Sequence, residues 1–322
     1  MRIAEIRVSV LVAAAIAFCP VALAQTPSGP EWWPSEWGPE DQRGAANRIT
    51  PSKVLEAISM IKEGQIYELG RVYERGMPLV GNRHFSLTIP GLPSFGGGGE
   101  NGVVFNDELV SAEIGQVGTQ LDGLGHVGTE VDGEYVFYNG FKLSEFGTAY
   151  GLEKLGIENV GAIFTRGVLI DVARYKGVDR LGPTYIITID DIEATLEMQG
   201  VDIHEGDAVF FHTGWGQLWM VDNDLYGSTE PGPGITAIKW LVEKRIVMTG
   251  ADNYAMEAVP GENSNRSSEG HQWLMNRNGI YNLENLDLSQ LAADQVYEFA
   301  FIFAPMKLKG ATGAPGNPIA VR

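Results

Sequence analysis

The sequence predicts an α/β fold built as a single domain of about 300 residues, near the size at which one core tends to split. Three observations carry this. Short apolar runs alternate with helix signals through the middle of the chain. Residues 296–304 (VYEFAFIFA) are apolar on both faces, as in a central strand covered on each side. The composition is globular, with 44% apolar and 20% charged residues among 322, and no internal repeat is visible.

The elements follow in order. Residues 1–24 read as a secretory signal peptide. Arg2 and Arg7 give a charged start, residues 8–18 are apolar except for Ser9, and Ala22-Leu23-Ala24 matches a small-x-small cleavage site. That run is too short to span a bilayer. Residues 25–49, rich in Pro, Trp and Gly, read as an arm on the surface anchored by Trp32, Trp33 and Trp37. Thr50 caps a helix that has Pro51 in its first turn, Val54, Ile58 and Ile61 on one face, and Gly64 as its stop. Residues 50–322 form the main domain. Residues 91–102 (GLPSFGGGGENG) read as a mobile lid or linker, since no Gly-Lys-Ser/Thr follows the glycines.

Residues 167–172 (GVLIDV) and 208–213 (AVFFHT) read as buried strands. Between them Thr188 and Asp191 open a helix with Ile192 and Leu196 on its face and Gly200 as its stop. A helix over 235–244 and a short strand over 246–249 come next.

Charge and cysteine bound the chemistry. The net charge of −18 argues against nucleic acid and anionic membrane as partners, because both need clustered Lys and Arg. The one cysteine, Cys19, excludes an intrachain disulfide or a Cys-rich zinc site. Cleavage after Ala24 removes Cys19, Arg2, Arg7 and Glu5 and leaves a chain of charge −19. Such a chain is expected to be soluble and periplasmic or secreted.

Five histidines make that residue type scarce. The densest polar cluster is residues 115–128 (GQVGTQLDGLGHVG), which gathers Gln116, Thr119, Gln120, Asp122 and His126 among glycines. In extended chain the even-numbered Gln116, Gln120, Asp122 and His126 share one face. A polar turn between strands fits the same residues equally well. A second cluster runs from Ser268 through His271, is closed by Gly279, and is followed by Asn282-Leu283-Glu284-Asn285-Leu286.

Together these clusters resemble the cyclase family, which includes bacterial kynurenine formamidase and isatin hydrolase. The family signature H-x-G-T-H-x-D-x-P-x-H aligns without gaps with Gln116-Val117-Gly118-Thr119-Gln120-Leu121-Asp122-Gly123-Leu124-Gly125-His126. Further resemblance lies at Arg166-Gly167-Val168-Leu169-Ile170-Asp171, at Gly206-Asp207, at Thr213-Gly214-Trp215, in the His271 and Glu284 segment, and at Lys309-Gly310-Ala311-Thr312-Gly313. The resemblance implies a swivelling β/β/α domain with a mixed central sheet, assembled as a homodimer or homotetramer. The tryptophan-rich arm at 31–37 would suit exchange between subunits.

The chain departs from the signature at Gln116 and Gln120, where the family carries histidines, and at Leu124, where it carries proline. Glutamine is a weaker, neutral oxygen donor. One divalent metal is therefore expected rather than two, held by Gln120, Asp122, His271 and Glu284. That oxygen-rich set favours Mn²⁺ over Zn²⁺, and isatin hydrolases are manganese enzymes. The alternative is that the glutamines abolish metal binding and leave a periplasmic solute-binding protein.

The resemblance also implies a mechanism: hydrolysis of a small-molecule C–N bond, in a cyclic amide, lactam or N-formyl compound, by metal-activated water. His126 is the general base and acid, Glu284 a ligand or second proton carrier, and Gln116 a residue that orients the water. A lyase or cyclase eliminating water from a hydroxy acid would use the same set. His212, Trp215, Phe95 and His84 are candidate substrate contacts.

Overall fold

The computed structural model describes residues 32–322. The expected signal peptide and the first residues of the arm lie outside them. A nine-stranded mixed sheet organises the chain. Its strands, in chain order, are β1 (Ile66–Glu68), β2 (Gln120–Asp122), β3 (Ile163–Asp171), β4 (Ala208–His212), β5 (Met248–Ala251), β6 (Tyr281–Glu284), β7 (Glu298–Phe303), β8 (Gly313–Pro315) and β9 (Ile319–Val321). Across the sheet they run β1-β9-β7-β3-β4-β5-β6-β2-β8. The four central strands β3, β4, β5 and β6 are parallel. Antiparallel strands flank them, β7, β9 and β1 on one side and β2 and β8 on the other.

The parallel strands are largely buried on both faces, which explains the unbroken apolar run Ala208–Phe211 of β4. Phe210 packs against Phe299 and Phe301 of β7 at ring separations of 6.2 and 4.7 Å. Helix α1 (Pro51–Ser59) lies against β3 and β7, while α2 (Ile189–Gln199) and α3 (Ile235–Glu243) belong to the crossovers between parallel strands. The cap signals act as expected except at the end of α1, which stops at Ser59 with Met60 as its cap and not at Gly64. Thr50 accepts the Lys53 N–H, Thr188 and Asp191 form a reciprocal capping box, and Gly200 ends α2 in the left-handed conformation at φ 69°.

The face of α1 differs from the expected stripe. Lys53 and Ala57 are its buried residues, whereas Ile58 is 45% exposed. Ala57 packs with Ala300 and Val321, and Lys53 reaches the buried Asp207 at 2.6 Å, which also receives Arg166. An ion cluster, not an aliphatic stripe, thus sets the rotation of this helix. The glycine run differs too. Phe95–Gly98 pairs with Val103–Phe105 as a hairpin, which stands beyond a second ladder, Phe85–Thr88 with Leu109–Ala112. The result is a two-tiered β arm with exposed apolar side chains, not an irregular loop. The described part of the N-terminal arm packs on its own chain: Ser35 N–H donates to Asn139, Tyr138 donates to Asp41, and Ala45 and Ala46 enter the core.

Candidate metal centre

Register places the first four side chains of the site. In the antiparallel pair β2 and β6, Asp122 faces Asn282 and Gln120 faces Glu284. Alternate residues of a strand share a face, so these four side chains project together. The Gly118-Thr119 step fastens this pair. Gly118 has φ 61°, and a Cβ there would stand 2.6 Å from the Tyr73 ring. The Thr119 hydroxyl donates to the Asn285 carbonyl at 2.7 Å and accepts the Arg71 N–H. After β2 the chain turns, with His126 N–H on the Gly123 carbonyl, and His126 Nε2 comes back to 4.0 Å from Asp122 Oδ1. The shared face foreseen for the whole motif therefore holds along the strand for Gln120 and Asp122 only. His126 reaches Asp122 from a turn, and Gln116 lies in the bend before β2, in contact with Arg83.

His271 enters from the helical turn Glu269–His271, which continues as a π turn over Gln272–Asn276. Glu257 fixes it, accepting the Gly270 and His271 backbone N–H groups and bonding Nδ1 at 2.5 Å. Nε2 is left facing Glu284 Oε1 at 3.2 Å and Asp122 Oδ2 at 3.7 Å. One ligand atom from each of Asp122, His271 and Glu284 lies within 4.8 Å of the others, and all three residues are buried. Asn282 Nδ2 contacts the same atoms: Asp122 Oδ2 at 3.2 Å, His271 Nε2 at 3.1 Å and Glu284 Oε1 at 2.9 Å. Among the described residues three buried side-chain oxygens have no partner: Asp122 Oδ1, Asn282 Oδ1 and Oγ1 of Thr249, which pairs with Asn282 across the neighbouring strand.

The set fits a divalent cation. Two carboxylates and an imidazole converge where burial penalises uncompensated negative charge, and an orphaned carboxylate oxygen is a donor awaiting a positive partner. Burial, followed by the Asp122 charge, pushes the Glu284 carboxyl up to about 7. His271 is raised well above the usual imidazole range. Burial opposes this, but the bonds to Glu257 and Glu284 outweigh it. Burial lowers His126 despite the nearby Asp122 charge, so its ring is neutral and able to accept a proton at neutral pH.

Gln120 lies in the cluster and points its amide away from ligand duty. Its Nε2 donates to Glu284 Oε2 at 2.6 Å, and its Oε1 accepts from Asn285 at 3.1 Å. In this orientation it braces Glu284. Gln116 accepts from Arg83 at 3.4 Å, while its Nε2 is buried without a partner.

The candidate substrate contacts are dispersed. Trp215 is buried with Leu218 and Tyr226 and donates Nε1–H to the Tyr226 carbonyl, which makes it a packing residue. Phe95 is 56% exposed and packs on Phe105 in the β arm. His84 bonds Glu113 and Ser111 at the base of that arm. His212, at the end of β4, bonds Asp171 Oδ1 at 2.7 Å through Nδ1 and stands 4.0 Å from Asp252 Oδ2 through Nε2. This trio lines a cavity of about 890 Å³ with Arg71 and Trp219. Sequence reasoning missed Glu257 and Asn282. Asn282 stands two residues before Glu284 on a strand, a spacing that could have revealed it; Glu257 carries no local signal.

Fold and site define an α/β protein in which two carboxylates and a histidine converge, buried, as a possible metal site. A family model described as "Putative cyclase" matches residues 67–258, and the chain belongs to this family. A solved structure described as a novel cyclase is 31% identical, with a TM-score of 0.78, over 89% of this chain and 98% of that one. Isatin hydrolase of Roseibium aggregatum is 28% identical over 160 residues, 48% of this chain and 57% of that protein. The chain thus aligns with little more than half the length of this curated relative. A structure from Bacillus stearothermophilus described as a predicted metal-dependent hydrolase shares the fold, with a TM-score of 0.52 at 20% identity over 80% of this chain and 98% of that one.

Proposed function

We propose that the protein is an exported, metal-dependent hydrolase that cleaves a C–N bond in a small cyclic amide, lactam or N-formyl compound. The observation that carries this is the buried convergence of Asp122, His271 and Glu284, with Glu257 fixing the His271 tautomer. When bound, the cation supplies Lewis acidity, acidifying a water and polarising the substrate carbonyl. The oxygen-rich donor set favours Mn²⁺ over Zn²⁺.

The chain's own groups handle the protons. His126, neutral and beside Asp122, accepts a proton at Nε2 and passes it to the leaving nitrogen. Glu257 accepts from His271 Nδ1, which leaves Nε2 free to ligate. Gln120 and Asn285 hold Glu284 in place. Residues 1–24 support export. The exposed apolar β arm, with Leu87, Phe95, Val104 and Leu109, supports assembly as a homodimer or homotetramer.

The test is metal content and turnover of purified protein on a panel of cyclic amides and aryl formamides in ¹⁸O-labelled water. Metal-dependent turnover with one ¹⁸O per product supports hydrolysis. Turnover without label incorporation would identify elimination instead, and ligand binding with neither metal nor turnover would leave a solute binder.

A further inference from the structure

We propose that Asn282 is itself a ligand of this metal centre, offering its side-chain oxygen to the cation. The inference rests on the reading of the site as a metal centre. It begins from the position of Asn282 Nδ2, which stands 2.9–3.2 Å from one atom each of Asp122, His271 and Glu284. Those are the three groups that converge as ligands. A carboxamide nitrogen carries only two hydrogens and cannot donate to all three neighbours at once. Its partial positive charge lies where the three donors direct theirs.

The other end of the same amide makes the complementary point. Asn282 Oδ1 is buried and unpartnered, and the residue is fully enclosed. A buried carbonyl oxygen without a donor is rare in folded proteins. Rotating the terminal amide exchanges oxygen and nitrogen without moving the backbone. Turned so, the amide presents an acceptor to a cation held by Asp122, His271 and Glu284, whereas its present orientation turns its N–H groups toward that position. Carbonyl oxygen is an ordinary ligand for hard divalent cations such as Mn²⁺ and Mg²⁺. Register fixes the placement, because Asn282 is the direct cross-strand partner of Asp122.

The experiment is Mn²⁺ binding to the purified protein, measured by calorimetry and by the loss of the free-ion electron paramagnetic resonance signal, with thermal melting of each variant. Asn282→Ala should weaken Mn²⁺ binding at least tenfold, within the range that even supporting residues of metal sites carry, about 10–100-fold. Asn282→Asp should bind Mn²⁺ more tightly than Asn282→Ala. It should also melt lower than wild type without metal, from added carboxylate repulsion, and recover when Mn²⁺ is added. Loss of less than tenfold in Asn282→Ala, or an Asn282→Asp protein that binds no better than Asn282→Ala, overturns the assignment while wild-type binding keeps the metal-centre reading intact. Wild-type protein that binds neither Mn²⁺ nor Zn²⁺ sinks both.

Discussion

His271 and His212 are both held by a carboxylate on Nδ1, Glu257 at 2.5 Å and Asp171 at 2.7 Å. They differ in what the other nitrogen meets. His271 Nε2 faces two carboxylates, at 3.2 and 3.7 Å, beside an orphaned carboxylate oxygen. His212 Nε2 faces one, at 4.0 Å, and that carboxylate already accepts from Thr213 and Gly216. The first arrangement has surplus acceptors and calls for a cation. The second is a clamp across the ends of three parallel strands whose charges are already matched.

Substitutions can break this contrast. The largest effect is expected from Asp122→Ala, which should lose both the metal and turnover, at least as far as His126→Ala. His126→Ala should lower kcat about 10²–10⁴-fold while metal content stays at the wild-type level, as elemental analysis would show. If turnover survives within a few-fold, His126 is not the base.

Smaller effects sharpen the contrast. Glu257→Gln should weaken metal affinity or turnover by about 10–100-fold, while Asp171→Asn should leave Mn²⁺ affinity at the wild-type value. Equal losses in the two variants would erase the distinction between the histidines.

The smallest effect concerns pH and stability. His212 is raised above its ordinary 6.5, because the Asp171 bond and the Asp252 charge outweigh burial. Its contribution is therefore fully present below 6.5 and is lost as pH rises through the raised value. Asp171 is lowered from 3.8, burial being outweighed by His212 and Arg174. Its contribution is present above 3.8 and is lost as pH falls through the depressed value. His212→Gln should thus lower Tm by a few degrees at about pH 6 and by less at about pH 9. A deficit in melting temperature that grows with pH would contradict the clamp.

Much of the fold was legible because its signals are local. Thr188, Asp191 and Gly200 bound their helix by chemistry a single strand of sequence contains. The runs at 208–211 and 299–303 are apolar because both sheet faces are covered. The face of α1 was not legible. Lys53 turns inward only because Asp207, far along the chain, is buried beneath it. Trp215 followed a family motif at a strand end, yet its ring packs with Tyr226 inside the molecule.

The sequence alone determined the α/β class, the family and the acidic, cysteine-poor character that directs metal binding toward oxygen and imidazole. It also marked Asp122, His126, His271 and Glu284, through the resemblance of residues 116–126 and of the later His271 and Glu284 segment to the cyclase family. Only the tertiary structure decided how they are used. The register of β2 against β6 sets Asp122 on Asn282 and Gln120 on Glu284, which sets Gln120 as a brace on Glu284 and brings Asn282 beside Asp122, His271 and Glu284. Glu257 joins His271 from a distant loop. Hydrogen bonds across strands and loops depend on which residues the fold makes neighbours, and that information resides in pairing, not in composition.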